Sequence, residues 1–185
     1  MFVRGLTNIT NISRIEENIG TTPLGVVYPE LRTKDDTLSM WHIEKKEDFL
    51  DAALSIILPR QKIDPAVFLI IDDSILREYG VEYKLNPLTT DRELVKESKA
   101  IHYDMINIHV DNIKNVLAAY RAVYLKELES TTETWIIQWT ADETKQSLYQ
   151  AVQAGKVQLA RLNKSIKDKL YDRNSVQVSL GVGLT

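Results

Sequence analysis

The sequence predicts one α+β domain, in which helices pack on a mixed sheet of five to seven strands and a long helix lies near the C-terminus. Short apolar runs rich in β-branched and aromatic residues alternate with segments of helical periodicity. Several connections are too short for the crossovers that parallel strands need. The 185 residues, 44% apolar and 26% charged, have ordinary globular composition. We divide the domain into an α+β body, 1–139, and the C-terminal helix and tail, 140–185.

The first half of the chain supplies the predicted centre of the sheet. "FVRGL", "PLGVVYP" and "DTLSMWHI" are predicted strands, and a helix that Thr10 caps separates the first two. A second helix covers about 45–58, where Pro59 ends it. The run "VFLII", residues 67–71, is apolar throughout, which indicates a fully buried central strand.

Two capping boxes of the form Thr-x-x-Glu organise the second half. They begin at Thr90 and Thr140, and each predicts a helix that starts at the next residue. Between them the periodicity predicts a strand at about 99–108, a helix at 112–128 and a strand at 133–139. The tail alternates weakly and predicts one further strand.

The last helix, predicted over 141–171, carries a narrow apolar stripe that Gly155 interrupts. A heptad-like spacing of this kind favours pairing with another helix. We expect either a homodimer, which we favour, or a hairpin with the helix at 112–128. The predicted interaction residues share this stripe: Leu148, Val152, Leu159, Leu162 and Ile166.

The stretch "IHYDMINIHVD", residues 101–111, contains two His-x-Asp pairs. On a strand, His102 and Asp104 point to one face, where the carboxylate could orient the imidazole as a base. The alternative is a structural histidine that forms hydrogen bonds. His109 falls on the other face, and Asp111 is placed to cap the following helix.

Asp72 and Asp73 directly follow the buried strand and are the second candidate site. Paired acids at the end of a strand could hold a divalent cation. Alternatively, one of them caps the short helix "SILREYG". No other motif supports a metal or a cofactor, so we predict neither.

Composition excludes several classes of function. The chain has no cysteine, which rules out disulfides, zinc–thiolate sites and thiol catalysis. Its formal net charge of −3 gives no reason to expect nucleic acid as a partner. There is no glycine-rich phosphate loop and no apolar stretch of membrane-spanning length. We therefore expect a soluble, cytoplasmic protein.

One resemblance concerns the first and third predicted strands. "FVRGL" followed by "DTLSMW" is similar to the arginine and serine strands of ADP-ribosyltransferase-like domains. The resemblance implies that Arg4 meets the phosphate of a nicotinamide nucleotide and that Ser39 supports the pocket. The serine motif here is Leu-Ser-Met-Trp, and we find no convincing Glu-x-Glu or Gln-x-Glu to supply the catalytic glutamate of that family.

We expect an interaction protein of the cytoplasm that presents its long helix to a protein partner or to a second copy. The alternative is a small enzyme that uses His102 and Asp104 or the Asp72–Asp73 pair, an NAD-consuming transferase being its most specific form. The enzyme requires His102, Asp104 and a further polar residue to converge in a concave pocket. The interaction protein requires an exposed apolar stripe on a surface helix.

Overall fold

In the described part of the chain, six strands form one sheet in the order β4-β5-β2-β1-β3-β6. The computed structural model describes residues 1–23, 25, 29–31, 37–87, 95–109 and 112–171. The α+β class and the number of strands are confirmed. Every described pairing is antiparallel, whereas the sequence suggested a mixed sheet. The strands are β1 (Phe2–Leu6), β2 (Leu38–His42), β3 (Ala66–Ile71), β4 (Tyr83–Leu85), β5 (Ile101–Met105) and β6 (Ile136–Trp139).

Helices cover both faces of this sheet, so the strands lie between two apolar layers. Phe2 and Leu69 face a layer with α1, α3 and α4, whereas Val3 and Phe68 face a layer with α2, α5 and α6. Burying one such side chain contributes roughly 1.5–3 kcal/mol. The helices are α1 (Ile9–Ser13), α2 (Phe49–Ile57), α3 (Asp73–Glu78), α4 (Ile113–Glu129), α5 (Ala141–Gln153) and α6 (Lys164–Tyr171).

The predicted single helix over 141–171 is wrong, because the chain turns after Gln153. Gly155 has a φ of 73°, in the left-handed region that favours glycine. The Gly155 N–H donates to the Val152 carbonyl, and the Lys156 N–H donates to the Ala151 carbonyl. These two bonds form a Schellman motif, so the glycine that interrupts the apolar stripe ends the helix.

The five residues of that stripe therefore lie in the core and do not form a seam on one helix. Leu148, Leu162 and Ile166 are buried in the layer that contains α2, and Val152 and Leu159 pack against it. Helix α4 belongs to the opposite layer. The sheet separates α4 from α5, so the expected hairpin between them is wrong as well.

The capping box at Thr140 is confirmed. The Glu143 N–H donates to the Thr140 hydroxyl at 3.2 Å, and the Thr140 N–H donates to the Glu143 carboxylate at 2.7 Å. These hydrogen bonds hold the pKa of Glu143 below its usual value. The cap of α1 is Asn8, not Thr10, because the Asn8 side chain accepts from the Thr10 N–H.

Some predictions fall on residues that the structure does not describe. They are the capping box at Thr90, the cap at Asp111, most of the strand "PLGVVYP" and the strand in the tail. In the described ranges, no helix combines the length and the apolar character that crossing a membrane requires.

Candidate functional site

Four polar side chains meet on the face of the sheet that α2 covers. His102 and Asp104 lie on β5 and point to the same face, as the sequence predicted. Strand pairing places Ser39 opposite Asp104, and Asn86 follows directly after β4. We call these four residues the polar cluster.

The Asp104 carboxylate is the acceptor at the centre of the polar cluster. It is only 5% exposed. The Ser39 hydroxyl donates to Oδ1 at 3.1 Å, and the Asn86 side-chain amide donates to Oδ2. His102 Nε2 lies 3.5 Å from Oδ1. A buried carboxylate needs such partners, because an unpaired charge in a protein interior is strongly unfavourable.

Both ring nitrogens of His102 face acceptors. Nδ1 lies 2.9 Å from the Asn86 carbonyl oxygen, which can only accept, so Nδ1 is the donor in this contact. Nε2 faces the Asp104 carboxylate. The ring centroid also lies 4.8 Å from that of Trp41. A general base needs a free nitrogen that reaches the substrate, and His102 presents neither of its nitrogens to solvent. This geometry is that of a structural histidine.

His109, the histidine of the second His-x-Asp pair, does not join the first pair, and Asp111 lies outside the described residues. His109 is exposed, beyond the end of β5. Within the described ranges, no three His, Asp or Glu side chains are grouped so that they could hold a metal ion.

Arg4 and Ser39 touch, but they do not line one pocket. The Arg4 guanidinium donates to the Ser39 backbone carbonyl at 2.7 Å. Arg4 pairs with Leu69, which belongs to the α4 layer, whereas the Ser39 hydroxyl lies on the opposite face with Asp104. The arrangement that the ADP-ribosyltransferase resemblance implies is therefore not formed. Arg4 instead lies near Tyr120, a buried residue of α4. Burial raises the pKa of the Tyr120 hydroxyl, and the nearby Arg4 guanidinium partly offsets this shift.

Asp72 and Asp73 are each bound by a different cation of the chain. Asp72 lies 3.0 Å from Lys126 Nζ, and Asp73 lies 2.6 Å from Arg77. The Tyr83 hydroxyl also donates to Asp73. Asp72 occupies the N-cap position of α3, but its side chain makes no capping hydrogen bond. The two carboxylates point to separate partners and do not converge on one point.

Sequence reasoning missed two buried acids that connect distant segments. Asp51 on α2 accepts from the Lys99 N–H at 3.0 Å and from Lys156 Nζ at 2.5 Å. Glu30 accepts from the N–H groups of Thr7 and Asn8 at 2.9 and 3.0 Å. An acid among the apolar residues of "FLDAALSII" could have identified Asp51, but no comparable signal surrounds Glu30.

An exposed apolar surface lies at the β4 edge of the sheet, on the face opposite to the polar cluster. Leu85 is 53% exposed and Ile101 is 47% exposed. Tyr103 lies between them, opposite Leu85 and two residues from Ile101, and Tyr83 is the neighbouring side chain on the same face of β4. Both tyrosines are half-buried. We call Tyr83, Leu85, Ile101 and Tyr103 the edge patch.

The edge patch rests on a rigid aromatic base. The Phe2 ring lies edge-on to Tyr83 at 4.9 Å and to Tyr103 at 5.5 Å, as measured between ring centroids. It also contacts His42 at 5.0 Å. Burial in this group lowers the pKa of His42 below its usual 6.5. The two tyrosines of the edge patch therefore pack against Phe2, beside the more exposed Leu85 and Ile101.

The backbone beside the edge patch is open. The Asn86 N–H donates to the His102 carbonyl, and the Ile106 N–H donates to the Glu82 carbonyl. Along an antiparallel strand, residues whose N–H and C=O groups bond to the neighbouring strand alternate with residues whose groups point the other way. The N–H and C=O groups of Tyr83 and Leu85 therefore point away from β5. In the described part of the sheet, β4 has no neighbour on that side.

Comparison with known proteins adds no assignment to this geometry. The chain matches no family model, no curated protein and no solved structure.

Proposed function

We propose that this chain is an interaction protein that binds a protein partner through the edge patch. The observation that carries the proposal is the adjacency of Leu85 and Ile101, two large apolar side chains about half exposed, at an open edge of the sheet. Scattered exposed apolar residues are ordinary on protein surfaces, but neighbouring ones with aromatic support are typical of binding surfaces.

The edge patch takes the role that the sequence suggested for a long helix. The residues of the helical stripe are buried or partly buried in the core, so they are not available to a partner. The edge patch instead combines exposed apolar side chains, packed aromatic neighbours and, as far as the described residues show, backbone groups without a strand partner. A rigid surface loses little conformational entropy on binding, which favours affinity.

The enzyme alternative has weaker support. His102, Asp104, Ser39 and Asn86 do converge, but their hydrogen bonds are directed at one another. A catalytic group must direct a donor, an acceptor or a nucleophile at a substrate. The polar cluster is better explained as the element that fixes β2, β5 and the end of β4 relative to one another.

We also propose that the protein works in the cytoplasm. A chain without cysteine is compatible with a reducing compartment. Cell fractionation followed by immunoblotting tests this location, and recovery of the protein in a secreted fraction would contradict it.

Site-specific photo-crosslinking in intact cells tests the proposed function. A photoreactive phenylalanine derivative replaces Leu85 in one variant and Ile101 in a second. The control carries it at Leu128, which is 64% exposed on α4 and lies outside the edge patch. We expect discrete adducts of one mass from the first two positions and none of that mass from the control.

Two outcomes would contradict the proposal. Identical adducts from all three positions would show non-specific contact, and no adduct from Leu85 or Ile101 would show an unoccupied surface. An adduct of about twice the chain's mass would identify a second copy as the partner, in a homodimer formed through the edge patch and not through the helical stripe that the sequence suggested. Light scattering of the purified protein would then have to show a dimer.

A further inference from the structure

We infer that the partner adds an extended strand to β4 and carries an acidic residue that faces Lys84. This inference rests on the proposed function and specifies the chemistry of the partner. It follows from three features of the edge: backbone groups that point away from β5, where the described sheet has no further strand, the side chains on its two faces, and its charge.

The backbone of β4 offers a complete set of hydrogen-bonding groups to an added strand. Tyr83 and Leu85 each direct one N–H donor and one C=O acceptor away from β5. Exposed edges of this kind bind extended peptides in many recognition domains. Pro87 follows soon afterwards and has no N–H group, so the open edge is short.

The side chains of β4 define what the two faces of an added strand would meet. Tyr83 and Leu85 lie on the apolar face, together with Tyr103 and Ile101. Lys84 lies on the opposite face and is exposed. Because side chains alternate along a strand, an added strand would place apolar residues beside Tyr83 and Leu85 and a residue of the other face beside Lys84.

Charge complementarity indicates an acidic residue at that position. Lys84 forms no ion pair within the described ranges. Opposite charges on directly facing residues of antiparallel strands are favourable, and like charges are unfavourable. A carboxylate beside Lys84 would therefore stabilise the added strand and fix its register relative to β4.

The same argument disfavours a second copy of this chain as the occupant. In a two-fold antiparallel pairing of two β4 strands, Tyr83 of each copy would bond with Leu85 of the other. The axis would then pass beside Lys84, and the two lysines would face each other. Natural edge strands use lysine in this way to prevent self-association. The occupant is consequently a different protein segment.

A designed peptide provides the probe for this inference. The capped peptide has seven residues, with valine at the odd positions, threonine at the second and sixth, and glutamate at the fourth. One control peptide has lysine at the fourth position. A second control keeps the glutamate but is N-methylated at the third and fifth residues, which removes the donors that would pair with β4.

Hydrogen exchange measured by NMR gives the readout at individual amides. We expect the glutamate peptide to slow exchange at the Tyr83 and Leu85 amides, and the N-methylated peptide to leave both unchanged. The lysine peptide should bind several-fold more weakly. Lys84→Glu should reverse this preference, although it also places a second carboxylate opposite Asp104 and should lower the melting temperature. Lys84→Gln adds no such repulsion; it should remove the preference and leave the melting temperature nearly unchanged, because Lys84 is exposed.

Each of the opposite results overturns the inference. Equal binding of the glutamate and lysine peptides would contradict the acidic residue. Binding without protection of Tyr83 and Leu85, or binding that survives N-methylation, would contradict strand addition. No binding of any peptide would overturn the inference too, whereas the crosslinks from Leu85 and Ile101 decide the proposed function separately.

Discussion

The Ser39 hydroxyl lies 3.1 Å from the Asp104 carboxylate, and this contact joins β2 to β5 through their side chains. The same carboxylate accepts from the Asn86 side chain just beyond β4. The buried Asp104 carboxylate therefore links three neighbouring strands of the sheet, β2, β5 and the end of β4. It holds together the part of the sheet that carries the edge patch on its opposite face.

The first prediction is that Asp104→Ala lowers the free energy of unfolding by about 1–3 kcal/mol, because it leaves buried donors without an acceptor. Ser39→Ala removes only one donor and should cost about 1 kcal/mol or less. Urea denaturation followed by circular dichroism measures both. If Asp104→Ala proved as stable as the parent protein, the polar cluster would have no structural role.

The second prediction concerns the buried acid on α2. Asp51→Ala should destabilise the protein by about 1–3 kcal/mol, because the Lys99 N–H and Lys156 Nζ lose their acceptor. Glu133→Ala is the matched control, since Glu133 pairs with Lys46 on the surface with both side chains about half exposed. It should change stability by less than about 0.5 kcal/mol. Equal effects of the two substitutions would contradict this assignment.

The third prediction tests the end of α5. Gly155→Ala should cost about 1 kcal/mol, although a Cβ at this position would meet no atom within 4 Å. The cost would come from the positive φ alone, so Gly155→Asn, which tolerates that conformation, should cost less. Thermal unfolding of the two variants makes the comparison. A stabilising alanine would instead favour a continuous helix through this position.

The fourth prediction is a dependence of stability on pH. Burial lowers the pKa of His42 in the folded protein below the 6.5 of an unfolded chain. The unfolded state therefore binds the proton more readily, so this contribution is present above pH 6.5 and is lost as the pH falls through the folded pKa. His42→Gln should make the free energy of unfolding less dependent on pH between about 5 and 7.

His109→Gln is the control for this measurement, because that side chain is exposed. If His42→Gln kept the parent's slope, the titration of another group would have to explain the pH dependence.

The sequence was a good guide to local structure wherever one element had one strong pattern. The run at 67–71 became β3, the periodic segment at 112–128 became α4, and the Thr140 capping box began α5. The apolar stripe over 141–171 led to the wrong prediction of one long helix. Two short buried helices joined by a turn can place apolar residues at the same spacing as a single helix. Gly155 was the one residue in the stripe that pointed to two helices instead of one. A glycine within a helical pattern can either be tolerated inside the helix or end it, and here it ends α5.

The candidate sites were only partly predictable. Period-two alternation places His102 and Asp104 on one face without further information. Ser39 is 65 residues from Asp104 in the chain, so its contribution depends on strand pairing. The exposure of Leu85 and Ile101 likewise depends on β4 being the outermost strand, and strand order is a property of the whole fold that no local pattern encodes.

The position of β1 has a consequence for how the chain folds during synthesis. β1 lies between β2 and β3, both of which follow it in the sequence. Among the described strands, it is the one that connects the β4-β5-β2 half of the sheet to the β3-β6 half. The ribosome therefore releases this apolar strand well before either of its partners exists. Contacts between distant segments slow folding, and an unpaired strand is prone to aggregation. Both edges of β1 can be paired only after residue 71 has emerged.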